Sequence, residues 1–175
     1  MPAPLLESPF ELAGRRLRNR IVHASMTTRR AANASTTPAQ IQYYENRARG
    51  GAAMIVTEPL TLSSMQDVES KTRAWNDDNL DGLRRWAAAV ETHDCRLLAQ
   101  IQDPGRARHD TMRHLNAMAP SVLPDDLSWS MPRAMTQQEI HRFTDDIAHS
   151  AARLKRCGFS GVEISAGHGH LFHQF

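Results

Sequence analysis

Short apolar runs alternate along this chain with longer stretches of helical spacing, and turn residues punctuate nearly every change. Phe10-Glu11-Leu12 and Arg16-Leu17-Arg18 flank Ala13-Gly14, which predicts an N-terminal β-hairpin. Ile21-Val22-His23-Ala24 predicts a first core strand, and Ser25-Met26-Thr27-Thr28 forms its small, polar exit. Thr37-Pro38 then opens a helix, Thr37 as the cap and Pro38 at the first position, with Ile41, Tyr44 and Ala48 on one face and Gly50-Gly51 ending it. Ala52–Thr57 is almost continuously apolar, as a parallel strand covered on both faces requires, and it is expected to exit into Glu58-Pro59.

The alternation continues. A loop through Asp67 and Lys71 leads to Trp75, and Asn76-Asp77-Asp78 offers cap chemistry for a second helix carrying Leu80, Leu83, Trp86, Ala87 and Val90. Arg96–Ile101 predicts a third strand leaving into Gln102-Asp103-Pro104-Gly105-Arg106. From Asp103 to Met135 there are four prolines and little periodicity, so this segment is expected to lie as a lid over a strand's carboxyl end. Thr136-Gln137-Gln138-Glu139 spells a capping box for a third helix through Arg156, burying Ile140, Phe143, Ile147, Ala151 and Leu154. Gly158–Gly161 leads into a fourth strand, Val162-Glu163-Ile164, and then into Ser165-Ala166-Gly167-His168-Gly169-His170. Strands joined by crossover helices make a parallel α/β sheet, whose chemistry collects at the strands' carboxyl ends.

Composition changes this picture little. At 175 residues the chain can bury a core as one domain, and 41% hydrophobic with 23% charged residues is ordinary for a globular protein. A net charge of +2 argues against a nucleic-acid partner despite the early arginines at positions 15, 16, 18, 20, 29 and 30. No apolar run reaches the roughly 20 residues of a membrane span, and the N-terminus lacks a secretory pattern. Cys95 and Cys157 have no metal-ligand or redox spacing, so they read as free thiols and the expected compartment is the cytoplasm. The tail Leu171–Phe175 reads as the opening of a further element, so residues 1–175 are expected to be the N-terminal portion of one larger barrel domain, ending after its fourth strand.

Taken together, several segments resemble the old yellow enzyme family of flavin oxidoreductases, (β/α)8 TIM barrels that bind FMN. The likeness rests on Asn19-Arg20-Ile21-Val22 with Ala24-Ser25-Met26-Thr27, on Tyr43–Ala48 with Gly50-Gly51, and on Ile55-Val56-Thr57-Glu58. It continues through Gln100-Ile101 with Gly105-Arg106, Ala119-Pro120-Ser121, Pro132–Thr136 with Glu139-Ile140, and Gly158–Ile164 with His168-Gly169. The resemblance implies the first four β/α units of such a barrel. It implies flavin contacts from Ser25, Met26, Thr27, Pro59 and Gln100, with Thr27 and Gln100 tuning the ring and Pro59 offering only a carbonyl. His168 and His170 are the implied catalytic residues, with Ser165 and His168 binding substrate. The cofactor is then FMN, NAD(P)H the reductant, and the partner a small-molecule substrate, with oligomerisation left open. An iron–sulfur cluster and FAD would belong only to a later region of the polypeptide.

Where the family's ene-reductases commonly place a His, a His or Asn, and a Tyr, this chain has Ser165, His168 and His170. That exit resembles members that oxidatively demethylate small N-methylated amines or amino acids, and reduction of an enone or 2-enoate is the alternative within the family. Two rival readings stand outside it. His168-Gly169-His170-Leu171-Phe172-His173 also spells HxHxxH, a zinc-holding pattern that would suit a metal-dependent hydrolase. The other rival is a half-barrel product that is inactive alone, because the family's phosphate-binding loops come late in the barrel.

Overall fold

A computed structural model describes residues 5–64, 68–107, 117–127 and 131–175. After a 3₁₀ turn at Leu5–Glu7, the hairpin forms as strands β1 (Phe10–Leu12) and β2 (Arg15–Leu17), with Ala13 and Gly14 both at positive φ in the turn. Strands β3 (Val22–His23), β4 (Met54–Leu60), β5 (Arg96–Ile101) and β8 (Gly161–Ile164) then pair in chain order as one parallel sheet. Helices α1 (Pro38–Arg49), α2 (Leu80–Glu91) and α3 (Gln137–Arg156) are the crossovers. A short helix α4 (Leu171–Gln174) follows β8.

The helix layer and one face of the sheet share the core. Ile55, Leu97, Ala99 and Ile101 pack against Tyr44, Ala48, Leu83, Trp86 and Leu154. The Tyr44 and Trp86 rings lie 4.9 Å apart, in the range where aromatic contact adds to area burial. Leu98 and Gln100 lie on the other face of β5, so this strand alternates where a strand covered on both faces would be continuously apolar. Strand β3 is an edge of this sheet among the described residues, and Ile21 and Val22 are exposed there.

Three local expectations are corrected. The second strand does not exit at Glu58-Pro59. Both residues lie buried inside β4, where Val56 pairs with Leu98 but Pro59 pairs with Gln100, so one extra residue is accommodated as a bulge. Proline is tolerated there because a bulge breaks the ladder that its missing N–H could not join. The Gln100 N–H bonds instead to Thr57 Oγ1, at 3.1 Å. Helix α2 begins at Leu80 rather than within Asn76-Asp77-Asp78, and Asn79 at its start makes no side-chain cap. Its amide instead bridges to the Thr36 backbone N–H and hydroxyl, with which it is buried. On α3 the fully buried positions are Phe143, Ser150 and Leu154, while Ile140, Ile147 and Ala151 are half-buried. The capping box itself is present, Thr136 and Glu139 satisfying each other's backbone N–H.

The expected lid lies partly outside the described residues, at 108–116 and 128–130, as does Asp67. Its described parts include a small parallel pair, β6 (Met118–Ala119) with β7 (Arg133–Ala134). Among the described residues no helix is long and apolar enough to cross a membrane.

Candidate functional site

The bulge in β4 turns Glu58 toward helix α1 and the segment that leaves β3. The Glu58 carboxyl is 1% exposed and accepts hydrogen bonds on both oxygens. The Thr28 and Arg29 backbone N–H groups donate to Oε2 at 2.6 and 3.0 Å, while the Thr28 hydroxyl and Gln40 Nε2 donate to Oε1 at 2.5 and 2.8 Å. Gln40 is in turn tied to Thr72, and the Tyr44 hydroxyl accepts from the Glu58 backbone N–H at 2.7 Å. Burial pushes the Tyr44 phenol's pKa well above its ordinary value. A buried carboxyl with this many donors is a structural hub. It was missed in the sequence, although an acid inside the apolar run Met54–Leu60 is the signal that marks it.

Ser25, Met26 and Thr27 lie just upstream of this hub. Ser25 is half-buried, Thr27 is exposed, and the Met26 side chain stands 58% exposed. On the concave face of the sheet, Pro59, Gln100 and Glu163 pair across three strands, and Gln100 Nε2 donates to Glu163 Oε1 at 2.9 Å. Glu163 also went unassigned in the sequence. At the β8 exit the Ser165 backbone N–H prolongs the ladder to the Ile101 carbonyl. His168 is exposed, at a φ of 59° that non-glycine residues seldom adopt. His170 is half-buried, its Nδ1 3.1 Å from Gln102 Nε2 and its ring 6.1 Å from that of His168. Gln174 ties the rim together: its Nε2 donates to the Pro104 and Gly169 carbonyls and its Oε1 accepts from the Arg106 N–H.

A cavity of about 280 Å³ opens on this rim, lined by Thr27, Arg29, Ser70, Lys71, Gln102, Pro104, Ala107 and His170. The exits of the first and last strands of the sheet therefore meet in one space, with the exit of β5 between them. Thr27 and His170 are brought together. Ser25, Met26, Pro59, Gln100, Ser165 and His168 do not line this cavity, and His168 lies beside His170 on its solvent side.

A larger cavity of about 510 Å³ lies at the strands' amino-terminal end, under the hairpin, where Leu12, Leu17, Met54, Leu98, Phe159 and Val162 line it. It holds no acid or histidine, and its Ser160 hydroxyl is engaged by Glu91 at 2.7 Å. The chemistry is at the other end. Both cysteines are buried and free, and burial pushes the Cys95 thiol's pKa up to about 12, which leaves no thiolate nucleophile there. The zinc reading of HxHxxH is not supported, because no group of three or more His, Cys, Asp or Glu among the described residues could hold a metal ion. His173 turns its Nδ1 back onto the Gly169 N–H instead.

A metal reductase of Desulforamulus reducens is 34% identical over 98% of this chain and 26% of its own length. The N,N-dimethylglycine/sarcosine dehydrogenase of Chromohalobacter salexigens is 30% identical over 97% of this chain and 25% of its own. The chain thus spans about a quarter of each of these relatives. The solved structure of morphinone reductase in complex with tetrahydroNAD superposes with a TM-score of 0.86 at 27% identity, covering 96% of this chain and 51% of that one. The family model for NADH:flavin oxidoreductase / NADH oxidase matches residues 6–175, essentially the whole parallel α/β unit and both ends of its rim. The chain belongs to the NADH:flavin oxidoreductase / NADH oxidase family, of the old yellow enzyme type.

Proposed function

We propose that this chain forms part of an FMN-dependent oxidoreductase whose flavin lies against the carboxyl rim of the sheet. The observation that carries the reading is the convergence of Thr27 and His170 on one cavity, whose lining also holds Gln102 beside His170. The residues present suit a flavin. Ser25, Met26 and Thr27 offer an uncovered thioether and small polar groups at the β3 exit, and Gln100 keeps its carboxamide oxygen while Glu163 takes its N–H. Bound FMN would supply hydride acceptance and donation, with NAD(P)H as the family's reductant.

This chain's residues would then bind and move protons. With the Gln102 amide nitrogen against Nδ1, the singly protonated His170 ring accepts there and presents an N–H at Nε2 as a hydrogen-bond donor to substrate. Proton transfer to a substrate would come from the doubly protonated ring, with the Gln102 carboxamide turned so that its oxygen accepts from Nδ1. Ser165 and His168 would hold the substrate from the β8 exit. The reaction best supported is oxidative demethylation of small N-methylated amines or amino acids. It is supported by the Ser-His-His exit and by the likeness to a dimethylglycine/sarcosine dehydrogenase. Reduction of an activated alkene is the second reading, favoured by a His170 Nε2 turned away from Gln102 and able to hydrogen-bond an activating carbonyl.

The test is an FMN titration of the protein, read by flavin absorbance, followed by anaerobic addition of N,N-dimethylglycine, NADH or NADPH. Stoichiometric flavin binding and bleaching by dimethylglycine are expected. His170→Phe should slow bleaching about 10²-fold or more while leaving flavin bound. A protein that takes up no flavin would overturn the reading.

A further inference from the structure

We infer that the rim cavity selects a substrate carrying a carboxylate, and that Arg29 is the residue that reads it. This inference rests on the function proposed above and names its substrate class. Two observations carry it.

The first is the charge of the lining. Arg29 and Lys71 face the cavity, His170 and Gln102 supply the remaining polar groups, and no acid lines it among the described residues. No hydrogen bond, ion pair or ring contact engages the Arg29 guanidinium among the described residues, whereas the neighbouring Arg30 sits 5.4 Å over the Tyr43 ring. An arginine fork with no acceptor among the described residues, beside a second cation, matches a carboxylate with two parallel N–H···O bonds.

The second observation is how Arg29 is held. Its φ of 52° is in the left-handed region, which a side chain of this size seldom adopts. The conformation is held by the buried Glu58 carboxyl, which accepts the Thr28 and Arg29 backbone N–H groups together. Strained backbone persists where surrounding bonds over-determine it, and such positions gather at ligand sites. Here the strain sets an arginine in the lining of a cavity of about 280 Å³, which has room for a small acid. His170, from the same lining, would meet the reacting end while Arg29 holds the acid end.

Calorimetric titration of the protein, with and without FMN, using N,N-dimethylglycine against its carboxamide, and crotonate against crotonamide, tests this. At least one acid should bind about tenfold or more tighter than its amide. Arg29→Gln should remove that difference, Arg29→Lys should keep part of it, and the melting temperature should hold, since the Arg29 side chain is exposed. Equal binding of acid and amide, no binding of either acid, or unchanged discrimination in Arg29→Gln overturns the inference. So does a loss in Arg29→Gln confined to NADPH over NADH, or to FMN over riboflavin, since Arg29 would then read a cofactor phosphate. Acid discrimination without any flavin uptake would leave this site standing and sink the redox reading instead.

Discussion

The two ends of the rim are held by different chemistry. At the β3 exit the hub is Glu58, a carboxyl that rises from inside a strand, is closed off from solvent, and accepts from two backbone and two side-chain donors. At the β8 exit the hub is Gln174, a half-buried neutral amide on α4 that bridges Pro104, Arg106 and Gly169. The first arrangement fixes a strained loop at low dielectric, where a lost acceptor leaves buried donors with nothing. The second is reached by water, so each of its bonds can be replaced. The β3 end should therefore be rigid and the β8 end adjustable.

Glu58→Ala is the harshest way to break that contrast. Four donors lose their acceptor, and at about 1 kcal/mol or more each the loss approaches 4 kcal/mol, measurable by urea unfolding. Amide exchange at Thr28 and Arg29 should rise together. Gln174→Ala should cost less, about 1–2 kcal/mol, and loosen only the segments around Gly105 and Gly169. Equal costs for the two variants would show that the rim is uniformly held.

Gly105→Ala sharpens the same end. Gly105 has a φ of 58°, and an added Cβ would meet the Gln174 carboxamide, so about 1 kcal/mol of backbone strain is expected together with release of Gln174. The smallest effect lies away from the rim, at the start of α3. The Arg133 guanidinium, with the Thr136 backbone N–H, holds the Glu139 carboxyl's pKa down to about 2 against an ordinary value of 4.5. A depressed folded value means the contribution is present above the unfolded pKa and fades as pH falls toward the folded one. Glu139→Gln should therefore lower the unfolding midpoint at pH 6, lower it less at pH 2.5, and so narrow the gap between the two.

Much of the fold was legible residue by residue. Thr37-Pro38 and Thr136 through Glu139 announced α1 and α3 because capping is local chemistry, satisfied within one turn. The helical spacing from Leu80 to Val90 did the same for α2, but its start was misplaced, since Asn79 bonds to Thr36, distant in the chain. His170 and Thr27 were legible as strand-exit residues. Glu58, Glu163 and Arg29 were not. Each takes its meaning from residues on another element: Glu58 from Thr28 and Gln40, Glu163 from Gln100, and Arg29 from the Gln102 and His170 that share its cavity.

By itself the sequence determined the order and kind of the elements, because hydrophobic period, caps and turn residues act over a few positions. Tertiary structure alone decided the β4 bulge, and with it the faces of Glu58 and Pro59. A bulge is a mismatch in count between two strands, and no single strand's residues carry that information. From that one extra residue follow the buried carboxyl, the strained Arg29 and the charge of the cavity it faces.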